Sequence, residues 1–261
     1  MDKIIDIQNV KWVKSGQEIL KDVSWSVDQG EHWAVLGLNG SGKTSLLNIV
    51  TGYNYPTKGS VTVLDTTFGK ASIPEMRKKI GVVSTALERF DVTLNNQLVE
   101  DIVLSGKFSS FGIYQEVTDA DREKAEGIMN DLRLDYLKGQ VFRTLSQGEK
   151  RRTIIGRALM ADPDLLILDE PCSGLDILSR EDVLSITQSI RDRNSHLIYV
   201  THHIEEITDV ITHVLLMKDG EVVTGGRKED VLTSANLSDI YKIPVKVHWE
   251  NKRPWLSISS Q

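Results

Sequence analysis

A glycine-rich segment, Gly37-Leu38-Asn39-Gly40-Ser41-Gly42-Lys43-Thr44, constrains the fold of this chain more than any other feature. It directly follows the short apolar segment HWAVL and leads into KTSLLNIVTG, whose apolar spacing is typical of a helix. Glycines in such a loop let successive backbone N–H groups converge on one anion, and the helix dipole adds to the attraction. A strand, this loop and a helix in that order predict a phosphate-binding loop in an α/β fold.

The same spacing assigns chemistry to individual residues of the loop. We expect Lys43 to reach the β- and γ-phosphates of a nucleotide and to assist catalysis there, and the Thr44 hydroxyl to coordinate Mg²⁺. The predicted nucleotide-binding residues are Gly37, Asn39, Gly40, Ser41, Gly42, Lys43, Thr44 and Ser45. A glycine-rich turn with an incidental lysine is the alternative.

Composition narrows the classes of protein that remain. The chain has 261 residues, of which 40% are hydrophobic, and a formal net charge of −6. A chain of this length and hydrophobic content can form one large domain or two small ones. Its negative net charge gives no reason to expect a nucleic-acid partner. Cys172 is the only cysteine, so an intrachain disulfide and a thiolate metal cluster are excluded, and a reducing compartment is favoured.

The first residues, MDKIIDIQNV, lack the basic stretch and apolar run of a signal peptide. No apolar run in the sequence approaches the roughly 18 residues that a membrane-spanning helix needs. We therefore expect a soluble, cytoplasmic chain that reaches the inner face of a membrane only through a partner.

The order of predicted elements favours a mostly parallel central sheet. IIDIQNV and LKDVSWSV alternate apolar and polar residues as strands do. Two helix-like segments, LNNQLVEDIVLSG and DADREKAEGIMNDLRL, then form a helical insertion at about residues 86–145, with Thr118 as a helix cap. Strand and helix patterns resume in DLLILDE, EDVLSITQSIRDR, HLIYVTH and IEEITDV, as crossover connections require.

Two hairpins are predicted beyond this alternation. HVLLMKDGEVVTGG carries Asp219-Gly220 at its turn, and IPVKVHWENKRPWLSIS forms a second hairpin after the core. The predicted class is α/β, a P-loop NTPase fold with a mostly parallel central sheet, an N-terminal antiparallel β subdomain and the helical insertion. The expected domains are a nucleotide-binding domain at residues 1–240 and a hairpin extension at residues 241–261.

A second motif, LLILDEP at residues 165–171, places two carboxylates at the end of an apolar strand. Ligands of open α/β sheets bind at this end of the strands. Asp169 therefore fits the role of holding Mg²⁺ and its waters, and Glu170 that of polarising an attacking water. The alternative is that both are solvated acids at a helix start.

A third motif, LSQGEKRRTIIGRAL at residues 145–159, puts small polar residues at a helix start and two arginines just after it. Such a helix start resembles an anion-binding site. Because the chain already carries a phosphate loop about a hundred residues earlier, this second helix start raises the question of which phosphate it would bind.

With LSQGE, LLILDE, SGLD and VTH following a phosphate loop in that order, the chain resembles the ATP-binding cassette family of ATPases from residue 1 to about 230. The resemblance implies ATP and Mg²⁺ as ligands and a head-to-tail dimer of two copies. In that dimer Ser146 and Gly148 would bond the γ-phosphate held by the phosphate loop of the other copy. Gln147 stands where the family usually has glycine, and we expect the contact to survive.

The resemblance assigns roles to three further residues. His202, in YVTHH, matches the switch histidine that bonds the γ-phosphate and orients Glu170 and the water, with His203 as the competing candidate. Asp176, in SGLD, would reach across the dimer, although alone it is typical of a helix cap. Trp12 lies where the family carries an aromatic residue that stacks on adenine, and its alternative is an ordinary packed aromatic.

One place departs from the family. IGVVSTALERF has Ser84 and Thr85 where the family has a glutamine that touches Mg²⁺ or its water and links the nucleotide to the insertion. A hydroxyl has less reach, so coupling is more affected than ATP binding. Thr85 is the candidate metal contact at this position.

Two functions of different classes follow. In the first, the chain is an ATPase subunit that energises a separate membrane permease, and its insertion is similar to that of cassettes serving iron-siderophore and metal-chelate importers. In the second, it is a stand-alone cytoplasmic ATPase with a regulatory or remodelling role. A phosphoryl-transfer kinase is a third and weaker alternative, because LSQGE and the switch histidine argue against it.

Overall fold

The computed structural model describes residues 3–84, 91–108, 112–113, 116–191 and 193–259. Its strands are β1 Lys3–Lys14, β2 Gln17–Asp28, β3 Trp33–Leu36, β4 Lys58–Val63, β5 Thr66–Thr67, β6 Ile80–Ser84, β7 Leu165–Asp169, β8 His196–Thr201, β9 His213–Lys218, β10 Glu221–Arg227, β11 Val245–Glu250 and β12 Arg253–Ile258. Its α-helices are α1 Lys43–Val50, α2 Ile73–Lys78, α3 Asp91–Leu94, α4 Val99–Ser105, α5 Asp119–Asp131, α6 Gln147–Leu159, α7 Ile177–Arg191, α8 Lys228–Val231 and α9 Ser234–Tyr241.

The chain forms two compact units, one of residues 1–77 with 196–261 and one of residues 78–195. The first unit contains an antiparallel sheet in the order β2-β1-β4-β5. The inward side chains of β1, such as Ile5 and Ile7, are fully buried while their neighbours are more exposed. The alternation of apolar and polar residues in the sequence therefore corresponds to one buried face.

A second group of strands in the first unit is mainly parallel. Strand β3 pairs in parallel with β8 and β9, so that Val35 lies between Val200 and Leu215, and β10 returns antiparallel to β9. Every residue of β3 is buried, which explains its uninterrupted apolar sequence. The turn between β9 and β10 is the predicted Asp219-Gly220 pair, and both residues have positive φ as a tight hairpin requires.

The second unit combines β6 and β7, which pair in parallel, with helices α4, α5, α6 and α7. The start of α5 confirms the predicted Thr118 cap, because the Thr118 hydroxyl accepts from the Asp121 backbone and the Asp121 carboxylate accepts from the Thr118 backbone. Parallel strands, an antiparallel N-terminal sheet and helices between strands confirm the predicted α/β class.

Two predicted helices are wrong in extent. The segment IEEITDV forms only a 3-10 turn at Ile204–Glu206, because the buried Glu206 carboxylate turns back to accept from the Tyr199 and Thr201 hydroxyls. In LNNQLVEDIVLSG the helix begins only at Val99, because Leu98 forms an isolated bridge with Val141. Helices α8 and α9 lie between the two hairpins, where the sequence indicated none.

The chain ends in the hairpin of β11 and β12. Asn251 and Lys252 form its turn and both have positive φ. Within the described residues, the helices are all too short or too polar to cross a membrane.

Candidate functional site

The phosphate loop lies between β3 and α1 in the first unit. Gly42 precedes α1 with φ of 103°, a left-handed conformation that glycine adopts without strain. Among the described residues no side chain caps the start of α1, and its first turn carries no acidic residue. Its first N–H groups therefore lack a side-chain acceptor, which suits an anionic ligand.

Lys43 is buried at the base of this loop, with 5% of its surface exposed. Its Nζ donates to the Gly37 carbonyl at 2.7 Å and to the Leu38 carbonyl at 3.2 Å. These acceptors hold the ammonium within the loop, so the positive charge is already in place for a phosphate before any ligand arrives.

The Ser41 hydroxyl indicates that the loop is built for a ligand. Ser41 is buried, and its Oγ has no hydrogen-bond partner among the described residues. Leaving such a group unsatisfied costs about 1–3 kcal/mol. An oxygen of a bound phosphate could accept a hydrogen bond from the Ser41 hydroxyl.

Gly37 is required by packing as well as by its place in the motif. A Cβ at this position would lie 2.4 Å from the Met217 carbonyl oxygen and 2.6 Å from Ser41 Oγ. Any side chain would therefore push the loop away from β9. Further along, Asn39 and Gly40 are exposed.

The other residues predicted to contact the nucleotide from this unit lie on regular elements. Thr44 is exposed and Ser45 half-buried on the first turn of α1. Trp12 is half-buried in β1, where it pairs with Leu20 of β2. The indole is therefore partly accessible, as stacking on a base would need.

His202 is the first residue after β8 and is half-buried. Its ring lies 4.1 Å from that of His203, measured between centroids. His203 is exposed and its Nδ1 lies 3.6 Å from the Glu205 carboxylate. An acidic side chain therefore lies beside the ring of His203. The choice of His202 over His203 as the switch residue stays a prediction.

Asp169 ends β7 in the second unit and is 8% exposed. Ser84 ends β6 and is its register partner. The Ser84 hydroxyl donates to Asp169 Oδ2 at 3.1 Å. One oxygen of the predicted metal-binding carboxylate is therefore oriented by the Ser84 hydroxyl.

Glu170 follows in a left-handed backbone conformation, with φ of 50°. For a residue other than glycine this conformation costs about 1–2 kcal/mol. Its carbonyl accepts from the Ser173 backbone in a turn that leads toward α7. Such strain is common where a side chain has a catalytic task.

The predicted signature helix α6 begins with a capping box. The Ser146 hydroxyl accepts from the Glu149 backbone at 3.3 Å, and Glu149 Oε2 accepts from the Ser146 backbone and hydroxyl, both at 2.7 Å. Burial would raise the pKa of Glu149, but hydrogen bonds from Tyr136 and Ser146 lower it below its usual value. The carboxylate therefore stays charged and keeps the cap at neutral pH.

Gly148 brings the start of α6 close to that of α7. A Cβ on Gly148 would lie 2.9 Å from Ser179 Cβ, so only glycine fits. Asp176 is exposed and caps α7, because its carboxylate accepts from the Ser179 backbone at 2.8 Å and hydroxyl at 3.3 Å. The helix-capping alternative for Asp176 is therefore observed. Its role between subunits stays a prediction.

Arg152, one of the two arginines that follow the signature, has a local role. It is buried, and its Nη1 donates to the carbonyls of Leu132 and Arg133 just beyond α5. The arginine therefore ties α6 to the end of α5 and does not extend toward an anion at the helix start.

Each unit contributes its own set of predicted residues. The first unit holds the phosphate loop, Trp12 and His202, and the second holds Ser84, Asp169, Glu170, Ser146, Gly148 and Asp176. Thr85 lies outside the described residues, so its predicted metal contact stays a prediction. The bond between Ser84 and Asp169 was not predicted from the sequence. The feature that could have indicated it is a polar residue at the end of each of two apolar strands.

This strand–loop–helix unit, with its buried lysine and uncapped helix, defines a P-loop nucleotide-binding protein. A model of the ABC transporter family matches residues 20–173. The chain therefore belongs to the ABC transporter family and is an ATPase with a single nucleotide-binding domain.

Individual relatives agree with this assignment. The uncharacterised ABC transporter ATP-binding protein YlmA of Bacillus subtilis is 43% identical over 97% of either chain. The energy-coupling factor transporter ATP-binding protein EcfA2 of Streptococcus pneumoniae is 31% identical, over 81% of this chain and 75% of its own.

Solved structures share the fold. An ATP-binding cassette of an ABC transporter in its ADP conformation superposes with a TM-score of 0.80, covering 93% of this chain and 99% of its own at 24% identity. A dimeric cassette bound to ADP and Pi has a TM-score of 0.71, with 85% and 98% covered at 23% identity.

Proposed function

We propose that this chain is the ATP-hydrolysing subunit of a membrane transporter and that two copies bind head to tail around two Mg-ATP. The observation that carries the dimer is a surface on the second unit. Ile177 and Leu178 are 74% and 75% exposed, directly beside Asp176 and near the Ser146 helix start. Adjacent exposed apolar side chains next to ligand-seeking groups are typical of a surface that a second protein covers.

The phosphate loop supplies binding and charge neutralisation in this proposal. The α1 N–H groups, the Ser41 hydroxyl and the Lys43 ammonium would hold the β- and γ-phosphates. The Thr44 hydroxyl and the Asp169 carboxylate are hard oxygen donors of the type that suits Mg²⁺. When bound, the metal ion would neutralise charge on the phosphate oxygens.

Two side chains would act on the attacking water. Glu170 would accept a proton from it as a general base, and His202 would donate a hydrogen bond to the γ-phosphate. Both roles rest on family resemblance and on the strained Glu170 backbone. The Ser146 hydroxyl of the other copy would donate to the γ-phosphate in exchange for its present bond to Glu149 Oε2.

The permease partner is supported by the relatives, which carry the names of transporter ATP-binding proteins. One observation favours the second candidate, a stand-alone cytoplasmic ATPase with a regulatory or remodelling role. Ser84 and Thr85 stand where the resemblance implies the coupling glutamine, and the Ser84 hydroxyl is already bonded to Asp169. Co-purification with a polytopic membrane protein would support the transporter, and purification without one would support the stand-alone enzyme.

A complementation experiment tests the shared sites. Lys43→Met should remove phosphate binding, and Ser146→Arg should block the signature surface, so each variant alone should lose hydrolysis. A mixture forms heterodimers in which one site has both an intact Lys43 and an intact Ser146. We expect the mixture to regain hydrolysis that neither variant shows alone, with Lys58→Met as the control for the lysine. A mixture that stays inactive would contradict the shared-site dimer.

A further inference from the structure

We propose that the C-terminal hairpin is an internal clamp that positions the switch segment, defined as residues 202–206, and thereby sets the rate of the hydrolytic step. The proposal rests on the role of His202 proposed above and adds two positioning residues, Tyr241 and Arg253. Neither was expected from the sequence motifs.

Two side chains from the C-terminal region bond the main chain of the switch segment. The Tyr241 hydroxyl, at the end of α9, donates to the His202 carbonyl at 3.3 Å. Arg253, at the start of β12, donates from Nε to the Glu205 carbonyl. The segment is therefore held at two of its five residues, by groups that lie 39 and 48 residues later in the chain.

The hairpin that carries Arg253 is itself anchored. The Ser238 hydroxyl accepts from the Val245 backbone at 3.0 Å, and the Ser234 hydroxyl accepts from the Val247 backbone at 3.0 Å. At the other end of the hairpin, the buried Lys228 ammonium donates to the Lys252 carbonyl at 3.3 Å. The hairpin is thus fixed to α8 and α9 and can act as a support.

The opposite end of the switch segment is fixed to β8. The buried Glu206 carboxylate accepts from the Tyr199 hydroxyl at 3.0 Å and from the Thr201 hydroxyl at 2.7 Å. The Thr201 oxygen in turn accepts from the His203 backbone at 3.0 Å. The segment is thereby tethered to the strand on one side and to the C-terminal hairpin on the other.

The switch segment and the C-terminal hairpin leave a space between them. A cavity of about 300 Å³ lies between them, and its walls include Ile204, Tyr241, Ile243, Trp255 and Ile258. The two side-chain hydrogen bonds join the switch segment to the C-terminal region beside this space.

Tyr241 remains a donor under all ordinary conditions. Burial, with a smaller effect from the Glu205 charge, raises the pKa of Tyr241 to about 12. The hydroxyl thus keeps its proton throughout the range in which an ATPase works. The donor of the Tyr241 hydrogen bond is therefore not lost by ionisation near neutral pH.

The test replaces Tyr241 by phenylalanine, which keeps the ring and removes the donor. We expect the kcat of ATP hydrolysis to change by about threefold to fivefold, with the KM for ATP and the affinity for ATP without Mg²⁺ unchanged. Arg253→Gln should act in the same direction. Tyr55→Phe removes the hydroxyl of an exposed tyrosine and should leave kcat at its wild-type value.

A spectroscopic readout separates positioning from mere stability. In protein labelled at the histidine rings, we expect the His202 resonance, assigned from its loss in His202→Ala, to shift in Tyr241→Phe and to stay in place in Tyr55→Phe. An unchanged resonance together with an unchanged kcat would overturn the clamp. If His202→Ala hydrolyses ATP at the wild-type rate while the resonance still shifts, the proposed role of His202 fails and the structural clamp stands.

Discussion

The Ser84 hydroxyl donates to Asp169 Oδ2 at 3.1 Å, across two parallel strands that both end at this pair. The register of the two strands fixes the distance between the backbones of Ser84 and Asp169. The two short side chains therefore meet without a large loss of side-chain freedom. The Ser84 hydroxyl therefore has a defined partner, the carboxylate that we predict to bind the metal ion. The contribution of this hydrogen bond can be tested by substitution of Ser84.

Ser84→Ala should weaken the use of Mg²⁺. Loss of the donor leaves Asp169 less well oriented, and loss of such outer contacts commonly lowers metal affinity by about tenfold. We expect the Mg²⁺ concentration for half-maximal hydrolysis to rise by about threefold to tenfold. Ser185→Ala, which removes an exposed hydroxyl on α7, is the control. An unaltered Mg²⁺ titration would show that the bond does not serve the metal.

Gly37→Ala and Gly127→Ala form a matched pair with opposite expected effects. At Gly37 the new Cβ would lie 2.4 Å from the Met217 carbonyl, whereas at Gly127, inside α5, it would have no neighbour within 4 Å. We expect Gly37→Ala to lower the melting temperature and ATP binding. Gly127→Ala should stabilise the protein by about 0.5–1 kcal/mol because alanine favours a helix. Calorimetry on both variants decides, and destabilisation by Gly127→Ala would contradict the described packing.

Glu206→Gln should stabilise the protein near neutral pH. Burial raises the pKa of Glu206 above its ordinary value of 4.5, against smaller opposing effects from the Thr201 and Tyr199 hydroxyls. The folded state thus binds this proton more tightly than the unfolded state, so wild-type stability is fully present below pH 4.5 and declines as the pH rises through the folded pKa.

A glutamine at position 206 keeps an oxygen that can accept from the Tyr199 and Thr201 hydroxyls. Unlike the carboxylate, it does not change its charge with pH. The difference in unfolding free energy between Glu206→Gln and wild type should therefore widen from pH 5 to pH 8. Denaturant unfolding at several pH values measures it. The exposed Glu123→Gln should show no such widening, and a constant gap for Glu206→Gln would refute the assignment.

Two substitutions at Asp176 distinguish its role as the cap of α7 from its predicted role between subunits. Asparagine caps a helix about as well as aspartate, whereas alanine does not. We expect Asp176→Asn to melt like wild type and Asp176→Ala to melt earlier, with hydrolysis reduced in both. Wild-type hydrolysis in the asparagine variant would leave capping as the function of Asp176.

Local sequence determined the phosphate loop, the hairpin turns and the α5 cap. In each case the deciding interactions lie within a few residues, as with the glycines before α1 or Thr118 and Asp121. Such short-range interactions follow from the spacing of residue types along the chain. They can be predicted without knowing which distant residues pack against the segment. The order of these local motifs also identified the family, confirmed by the match to residues 20–173.

Tertiary structure alone decided the contacts that distinguish this chain. The bond from Ser84 to Asp169 spans 85 residues and that from Tyr241 to His202 spans 39, so neither leaves a periodic trace in the sequence. The apolar spacing of IEEITDV predicted a helix, yet the buried Glu206 and its hydroxyl donors ended it after one turn. Strand register and burial set these outcomes, because they fix which distant side chains meet and which polar groups must find a partner away from water.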